Sequence, residues 1–249
     1  MNTNLLSNFD NDLNIAIIGA SGGIGQALVS LLENTVNVKN IIHISRSNPK
    51  INNKANRLHI DLLDEKTMID CSNIISDSYK ALDIIINATG FLHDNDYKPE
   101  KSYKMIDAAY LEKSFKINTF GPFLLAKHFI PLLRKDRKSI FSCISARVGS
   151  IENNQLGGWH SYRASKAALN MLLKNLSIEL KYANKNAISV GLHPGTVDTN
   201  LSKPFPKSRS HYNVFTPSES SQHLISVINK LEPKDSGNTY DWAGKRIPF

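Results

Sequence analysis

A tyrosine and a lysine four residues apart form the pair in this sequence best suited to acid–base chemistry. Tyr162 and Lys166 stand in the run SYRASK, near the start of a stretch with helical spacing. This spacing places both side chains on one helix face. An ammonium beside a phenol lowers the phenol's pKa, which is about 10 in the free side chain. Such a phenol could exchange a proton with a carbonyl or an alcohol; the alternative is an amphipathic helix whose lysine merely reaches water.

A glycine-rich turn near the start of the chain has the form of a dinucleotide-binding turn. The run GASGGIG at 19–25 ends an apolar segment, 14–20, and opens a stretch with helical spacing, 23–34. Glycines let the backbone approach a pyrophosphate, whose charge is held by amides at the helix N-terminus. Glycine turns without a ligand are the alternative, and the context of strand, turn and helix favours a dinucleotide. The contacts expected here are Gly19, Ser21, Gly22, Gly23, Ile24 and Gly25.

The residues after the second apolar segment bear on which dinucleotide binds. In many NAD-binding folds an acidic residue about 20 positions beyond the turn bonds the ribose hydroxyl, whereas an arginine there accepts the 2′-phosphate of NADP. Arg46 stands at that distance, and the sequence has no Asp or Glu between Glu33 and Asp61. The sequence therefore favours NADP(H), with NAD(H) as the alternative cofactor. A lone arginine is also often a solvated surface cation.

Short apolar segments separated by helix-like stretches must position these motifs. Besides 14–20 they are 38–45, 56–62, 81–88, 138–145 and 186–194. Such runs are typical of strands buried on both faces of a parallel sheet. The long stretches 109–134 and 161–183 have enough apolar positions for core-facing helices, the first bent at Gly121-Pro122. We predict a single-domain α/β fold, a doubly wound parallel sheet of the Rossmann type with helices on both faces.

The composition indicates one folded domain. The 249 residues are 41% hydrophobic and 21% charged, which is ordinary for a globular chain. We expect a flexible, Asn-rich N-terminus at 1–12 and one NAD(P)-binding catalytic domain at 13–249. Within it, 200–217 is expected to be a substrate lid, because three prolines interrupt any periodicity there. No apolar run approaches the roughly 20 residues of a membrane span, and the first residues lack a secretory pattern.

The charge, cysteines and histidines limit the expected partners and compartment. The net charge is +8, but the basic residues are scattered, so we expect neither a nucleic-acid nor a membrane partner and assign part of the excess to cofactor phosphates. Cys71 and Cys143 are too few and too isolated for a disulfide framework or a metal motif, which suits a reducing cytoplasm. The eight histidines show no metal-binding spacing near a carboxylate, so no metal site is expected.

Taken in order, these motifs resemble the compact one-domain branch of the short-chain dehydrogenase/reductase family, from about Asn14 to Phe249. The runs 145–171 and 241–249 are similar to the group that includes the C-factor signalling protein and related carbonyl reductases. Asn118 matches a helix asparagine that supports a water relay to the lysine. The further cofactor contacts that the resemblance implies are Asp61 and Leu62 after the third strand, Asn87, Ala88, Thr89 and Gly90 after the fourth, Tyr162 and Lys166, and Pro194, Gly195, Thr196, Val197 and Thr199 in the loop that binds the nicotinamide amide.

The resemblance implies an oxidoreductase that transfers hydride between a nicotinamide and a small carbonyl or alcohol substrate. In this mechanism Tyr162 donates the proton, while Lys166 holds the ribose and lowers the pKa of Tyr162. Asn118 anchors a water that resupplies protons. The resemblance also implies a homodimer or homotetramer formed through the two long helices. No motif identifies the substrate or the reaction direction. Trp159 and Trp242 are open to interpretation as core or subunit-contact residues or as the lining of a pocket.

One position departs from the family pattern. The family serine occupies the first position of Ser-x-x-Gly, and counting back from Gly149 places Ala146 there. Ser145 is our candidate to bond the carbonyl oxygen, which requires the strand end to twist or bulge because neighbouring residues point to opposite faces. If neither Ser145 nor Ser150 reaches the carbonyl, turnover should be slow or use another donor. The departure supports an alternative function, a dinucleotide-binding signalling or regulatory protein of C-factor type with little or no turnover.

Overall fold

Apolar, β-branched segments form the main sheet of the protein. A computed structural model describes residues 4–47, 57–205 and 213–249. Strand β1 (Leu13–Ile18) is buried at all six positions. Ile15 and Ile17 enter the apolar layer on one face, and Ala16 and Ile18 enter the layer on the other. Because successive side chains point to opposite faces, burial on both faces requires the nearly continuous apolar sequence.

The sheet is parallel except at one edge. The strands after β1 are β2 (Val38–Ser45), β3 (Arg57–His59), β4 (Ile84–Asn87), β5 (Ser139–Ile144), β6 (Ala187–His193), β7 (Thr196–Val197), β8 (Val214–Phe215), β9 (Thr239–Asp241) and β10 (Arg246–Ile247). Seven of them join β1 in one eight-stranded sheet, in the order β10-β9-β6-β5-β4-β1-β2-β3, with β10 antiparallel to β9, while β7 and β8 pair separately. The strand order reverses between β1 and β4, and in such sheets ligands bind beyond the carboxyl ends at that point.

Helices cover both faces of the sheet. They are α1 (Gly23–Leu32), α2 (Glu65–Tyr79), α3 (Ala108–Phe115), α4 (Gly121–Phe129), α5 (His160–Ala183) and α6 (Pro217–Lys230). Residues of α2, α4 and α5 share one buried apolar cluster with the sheet, and residues of α1 and α6 share the other. This arrangement confirms the predicted doubly wound α/β fold.

The long stretch predicted to bend at Gly121-Pro122 is interrupted one turn earlier. A π-helical turn at Lys116–Phe120 separates α3 from α4, and Pro122 lies in the first turn of α4. Proline fits there because the first amides of a helix have no partner within it. The irregularity thus centres on Asn118, and π-turns inside helices often occur at functional sites.

The N-terminal stretch expected to be flexible contains a fixed point. Leu6 is fully buried against the layer that holds α1 and α6. Its carbonyl oxygen accepts a hydrogen bond from Asn37 Nδ2 at 2.9 Å. Leu6 is therefore anchored to the domain, while residues 1–3 lie outside the described residues.

Candidate active site at the carboxyl edge of the sheet

The glycine turn connects β1 to α1 with a backbone that side chains would obstruct. Gly19 has a φ of 84°, and a Cβ on Gly25 would lie 2.1 Å from the Gly19 carbonyl oxygen. Gly22 is the N-cap of α1; within the described chain no side chain bonds this cap, and the first turn holds no acidic residue. The first amides of α1 are thus available to an anion, as a pyrophosphate requires.

Two other segments predicted to bind the cofactor contact this turn. A Cβ on Gly19 would lie 3.0 Å from Thr89 Cγ2, and one on Gly23 would lie 2.8 Å from Thr199 Cγ2. Asn87 fixes the loop after β4, because its Oδ1 accepts from the Thr89 amide at 3.2 Å and from Thr89 Oγ1 at 2.7 Å. The ends of β1, β4 and β6 therefore meet at one place, and Ala88 and Gly90 lie there with them.

The loop after β6 is held from two sides. The Pro194 carbonyl oxygen accepts from Ser220 Oγ of α6 at 2.9 Å. Gly195 has a φ of 80°, and a Cβ there would lie 2.7 Å from the ring of Phe215 in β8. Thr196 and Val197 form β7, which pairs with β8. The backbone of the predicted nicotinamide loop is thereby fixed beside the glycine turn.

The end of β2 lies beside the glycine turn as well. Ser47 Oγ donates to Ser21 Oγ at 3.2 Å, and the neighbouring Arg46 is exposed. Asp61 Oδ1 accepts from the Leu63 amide at 3.0 Å, which orders the loop after β3. Two other predicted cofactor contacts, Leu62 and Ile24, are half-buried. Leu62 packs against Gly121, and Ile24 packs against the apolar cluster that α1 and α6 share. The residues present fit a nicotinamide dinucleotide.

Tyr162 and Lys166 lie on one face of α5, as their spacing predicts. Lys166 Nζ is 5.9 Å from the centroid of the Tyr162 ring and donates to the Ile144 carbonyl oxygen at 2.8 Å. Burial lowers the pKa of Lys166 to about 8. Burial also raises the pKa of Tyr162 above its ordinary value, with a further contribution from Tyr110. The expected lowering of the Tyr162 pKa is therefore wrong for this structure, because desolvation disfavours the phenolate.

Asn118 is placed next to the lysine by the π-turn. Its Oδ1 accepts from the Phe91 amide and its Nδ2 donates to the Phe91 carbonyl oxygen, both at 2.8 Å. Nδ2 also donates to Ser165 Oγ of α5 at 3.1 Å. A Cβ on Gly90 would lie 3.7 Å from Lys166 Nζ and 3.8 Å from Asn118 Oδ1, so this glycine faces both groups. The absence of a side chain there leaves room beside the lysine.

Ser145 does not take the place of the family serine. Its hydroxyl is buried and donates to Asn170 Oδ1 at 2.7 Å, an oxygen that also accepts from Thr239 Oγ1. Ala146 packs in one buried cluster with Leu92 and Tyr162. The two neighbours point to different sides because the extended backbone continues past β5 without a bulge that would turn Ser145 over. The predicted role of Ser145 is therefore wrong.

The other serine considered for this role points elsewhere. Ser150 Oγ accepts from the Asn153 amide at 3.1 Å and donates to the Phe249 carbonyl oxygen at 3.4 Å. Beside Tyr162 the described chain instead supplies apolar side chains, namely Leu92, Ala146, Val148, Trp159, Leu201 and Phe205. Leu201 and Phe205 belong to the predicted lid, of which 206–212 lie outside the described residues.

Sequence reasoning missed one buried carboxylate next to the tyrosine. The Glu100 carboxylate accepts from the Ser161 amide at 3.2 and 3.3 Å and from Ser161 Oγ, and its carbonyl oxygen accepts from the Trp159 amide. No motif surrounds Glu100. The only sequence signal is the pair Gly157-Gly158, since both adopt positive φ and precede Trp159, which does so too.

Two kinds of feature are absent from the described parts of the chain. In 4–47, 57–205 and 213–249 no three His, Cys, Asp or Glu side chains come together as a metal site would need. Over the same ranges no helix combines the length and the apolar character needed to cross a bilayer.

Comparison with known proteins agrees with this geometry. The model of the short chain dehydrogenase family matches residues 13–210. The C-signal protein of Myxococcus xanthus is 32% identical over 145 residues, which are 58% of this chain and 81% of that protein. The carbonyl reductase Sniffer of D. melanogaster superposes with a TM-score of 0.84 at 25% identity, over 97% of this chain and all of that one.

A second solved structure bears on the cofactor. The NADPH-bound carbonyl reductase from chicken fatty liver superposes with a TM-score of 0.81 at 25% identity, over 96% of this chain and all of that one. Both solved neighbours are similar over the whole sheet and its two helical layers. With the family match over 13–210, we conclude that this chain belongs to the short-chain dehydrogenase family and is an NAD(P)-dependent oxidoreductase.

Proposed function

We propose that the protein is an NADP(H)-dependent carbonyl reductase in which Tyr162 is the general acid. The observation that carries this proposal is the position of the Tyr162 and Lys166 pair. Lys166 Nζ bonds the carbonyl oxygen at the end of β5 and faces Gly90 at the end of β4. The glycine turn after β1 lies at the same carboxyl edge of the sheet. A proton donor and a dinucleotide site thus share one crevice.

When bound, the cofactor supplies or accepts the hydride. Tyr162 donates its phenolic proton to the substrate oxygen as negative charge develops there, and a positioned acid of this kind contributes about 100- to 10,000-fold to a rate. Lys166 binds the ribose hydroxyls through its ammonium and stabilises the negative charge that develops on the Tyr162 oxygen as its proton leaves. Asn118 ties the π-turn to the backbone of Phe91 after β4 and to Ser165 of α5. In the proposed mechanism Asn118 anchors the water that resupplies protons. Ala146 contributes no hydroxyl, so Tyr162 acts without the usual second donor.

The NADP preference rests on the surroundings of Arg46. Arg46 is exposed at the end of β2, and the bond from Ser47 to Ser21 holds this end beside the glycine turn. A guanidinium there can bind a phosphate through two parallel hydrogen bonds. The NADPH bound to the chicken carbonyl reductase is a further point in favour.

The same proposal extends to assembly and compartment. We propose a homodimer or homotetramer formed through α4 and α5, because Phe123, Met171 and Ile178 on these helices are exposed and apolar surface of this kind is typical of subunit contacts. The mass of the species in solution, measured by light scattering, tests this. Cys71 and Cys143 are free and buried, which supports a reducing compartment such as the cytoplasm.

The central test is a titration with NADPH and NADH followed by cofactor fluorescence, then a panel of aldehydes, ketones and diketones in the same cuvette. We expect tighter binding of NADPH and oxidation of NADPH that Tyr162→Phe abolishes. Failure of both cofactors to bind would refute the proposal. Ala146 gives some support to a signalling protein with little turnover; tight NADPH binding without turnover by the wild type would favour that alternative.

A further inference from the structure

We propose that Trp159 determines substrate specificity at this site, and that the substrate is a carbonyl compound carrying an aromatic or other flat apolar group. The inference rests on the reductase function proposed above and adds its substrate class. It excludes sugars and small acids as preferred substrates. Three observations carry it: the backbone of Trp159, the carboxylate that holds it, and the rings around it.

Trp159 adopts a backbone conformation that its side chain disfavours. Gly157, Gly158 and Trp159 follow one another with φ of 63°, 63° and 49°. Glycine adopts positive φ readily, whereas a bulky residue there is an outlier that persists only when its surroundings impose it. Trp159 is also the N-cap of α5, a position usually taken by Ser, Thr, Asp or Asn. A residue that satisfies neither preference is held in this conformation by its surroundings.

Glu100 imposes this conformation from the loop after β4. Its carbonyl oxygen accepts from the Trp159 amide, and its carboxylate accepts from the Ser161 amide and hydroxyl. Glu100 is buried, and a carboxylate at a helix N-terminus is favourable because the amides there carry partial positive charge. One residue therefore fixes the backbone on both sides of His160 and so aims Trp159 at the active site.

The indole ring completes an aromatic wall beside the tyrosine. The Trp159 centroid lies 6.2 Å from that of Tyr162, edge to face, and 5.2 Å from that of Phe205. Phe205 in turn lies 5.3 Å from the His93 ring, also edge to face. His93 is tied to the lid segment through its Nε2 and the Asn200 carbonyl oxygen, 3.1 Å apart. The rings, whose planes are inclined to one another by 59° to 74°, thus form a continuous aromatic wall next to the proton donor.

The described part of this wall offers little to a polar substrate. Its other members, Leu92, Ala146, Val148 and Leu201, are apolar. The nearby Arg147 is paired with Asp241 at 2.7 Å, and Lys203 on the lid is exposed. Among these described side chains, hydroxyls or a carboxylate would lose their water and gain few partners, which is costly. A flat apolar group instead gains contact area and favourable edge or offset packing with the rings.

The test compares kinetics for two substrates of similar size, an aryl methyl ketone and an open-chain aliphatic methyl ketone, with an aldose as the polar reference. Trp159→Ala should raise KM for the aryl ketone by about tenfold, which is the scale of one lost aromatic contact with its buried area. The KM for the aliphatic ketone and the Kd for NADPH should change little. Trp159→Phe should restore most of the affinity. Tyr182→Ala, at an exposed position of the same helix, is the matched control.

Three outcomes would overturn the inference. Equal losses for both ketones, or a failure of Trp159→Phe to rescue, would show that Trp159 only supports the fold. A wild-type preference for the aldose would show that the substrate class is wrong. Circular dichroism of each variant checks folding, and Trp159→Phe remains informative where the alanine variant does not fold.

A binding experiment separates this inference from the proposed reductase activity. The sequence has two tryptophans, Trp159 and Trp242, so Trp242→Phe leaves Trp159 as the only tryptophan, whose emission is excited selectively at about 295 nm once the NADPH binding of this variant has been checked. We expect the aryl ketone to quench this emission in the NADPH complex, with or without turnover. Turnover without quenching would refute the role of Trp159 and leave the reductase standing. Quenching without turnover would refute the proposed reductase activity and would support the binding of an aromatic compound at the aromatic wall.

Discussion

Restoring a hydroxyl at position 146 is the most direct way to ask whether the missing serine limits the reaction. Ala146 is buried in one cluster with Leu92 and Tyr162, in an extended backbone conformation that serine adopts equally well. Ala146→Ser therefore adds one donor beside the phenol with no change of backbone. The new serine hydroxyl would donate a hydrogen bond to the substrate oxygen as negative charge develops there, alongside the Tyr162 hydroxyl.

The size of the gain follows from the charge on that oxygen. A hydrogen bond to a charged group is worth about 1.5 to 3 kcal/mol, which corresponds to roughly 10- to 100-fold in kcat when the bond forms only in the transition state. In the free protein the same hydroxyl is buried among apolar side chains. Its desolvation costs about 1 to 3 kcal/mol, so the melting temperature of the variant should fall.

The assay is steady-state reduction of the best aldehyde or ketone of the panel at saturating NADPH, beside thermal unfolding. The matched control is Ser145→Ala, which removes the neighbouring hydroxyl and its bond to Asn170. We expect this control to lose stability, about 1 kcal/mol for one hydrogen bond, without the change in kcat. A folded Ala146→Ser variant that binds NADPH normally and shows the kcat of the wild type would refute the reasoning.

Further predictions concern the proton donor, the cofactor phosphate, the lysine and the buried carboxylate. Tyr162→Phe should lower kcat by about 100- to 10,000-fold and leave the Kd of NADPH unchanged in a fluorescence titration. Arg46→Ala should raise the Kd of NADPH by about tenfold or more, the scale of a hydrogen bond between charged groups, with little effect on NADH. Burial lowers the pKa of Lys166 to about 8, so below pH 8 the buried ammonium destabilises the fold. This penalty decreases as the pH rises from about 8 towards the pKa of lysine in the unfolded state, because in that range the unfolded state binds more protons than the folded state. Chemical denaturation of Lys166→Met and wild type at pH 7 and pH 9.5 should show the stability advantage of the variant shrinking with pH. Glu100→Gln should lower the free energy of unfolding by about 1 to 3 kcal/mol, because an acceptor of Ser161 becomes in part a donor facing the amides; an unchanged melting temperature would contradict this.

The sequence predicts the scaffold and the glycine turn well, and for a physical reason. A strand buried on both faces needs a nearly continuous apolar sequence, so β1, β4 and β6 can be recognised from one sequence. The glycine turn can be recognised from the sequence because a Cβ at Gly19 or Gly25 would lie too close to backbone atoms. These constraints are local, and local constraints leave a pattern in residue types.

The errors concern side-chain direction and burial, which spacing alone does not encode. Ser145 and Ala146 differ by one position, and their separation into a bond to Asn170 and a contact with Tyr162 depends on how the chain continues past β5. The direction of the Tyr162 pKa shift depends on how fully the surrounding side chains bury the phenol. Glu100 acts across 61 positions of sequence on Ser161, and the pair Gly157-Gly158 indicates an unusual backbone there without pointing to Glu100.

Burial of the tyrosine and the apolar wall have a common consequence for the chemistry. A phenol is protonated at neutral pH even at its ordinary pKa of about 10, and desolvation raises the pKa of Tyr162 further; the protonated phenol is the form that the proposed reduction consumes. The same enclosure excludes water that would weaken the attraction between Lys166 and charge developing on the substrate oxygen. The proposed site lacks the serine hydroxyl but keeps Tyr162 and Lys166, and the interaction of each with charge on the substrate oxygen is stronger where water is excluded. Under the proposed mechanism the apolar residues around Tyr162 act in both recognition and catalysis, because the packing that would select a flat apolar substrate also disfavours the phenolate of Tyr162.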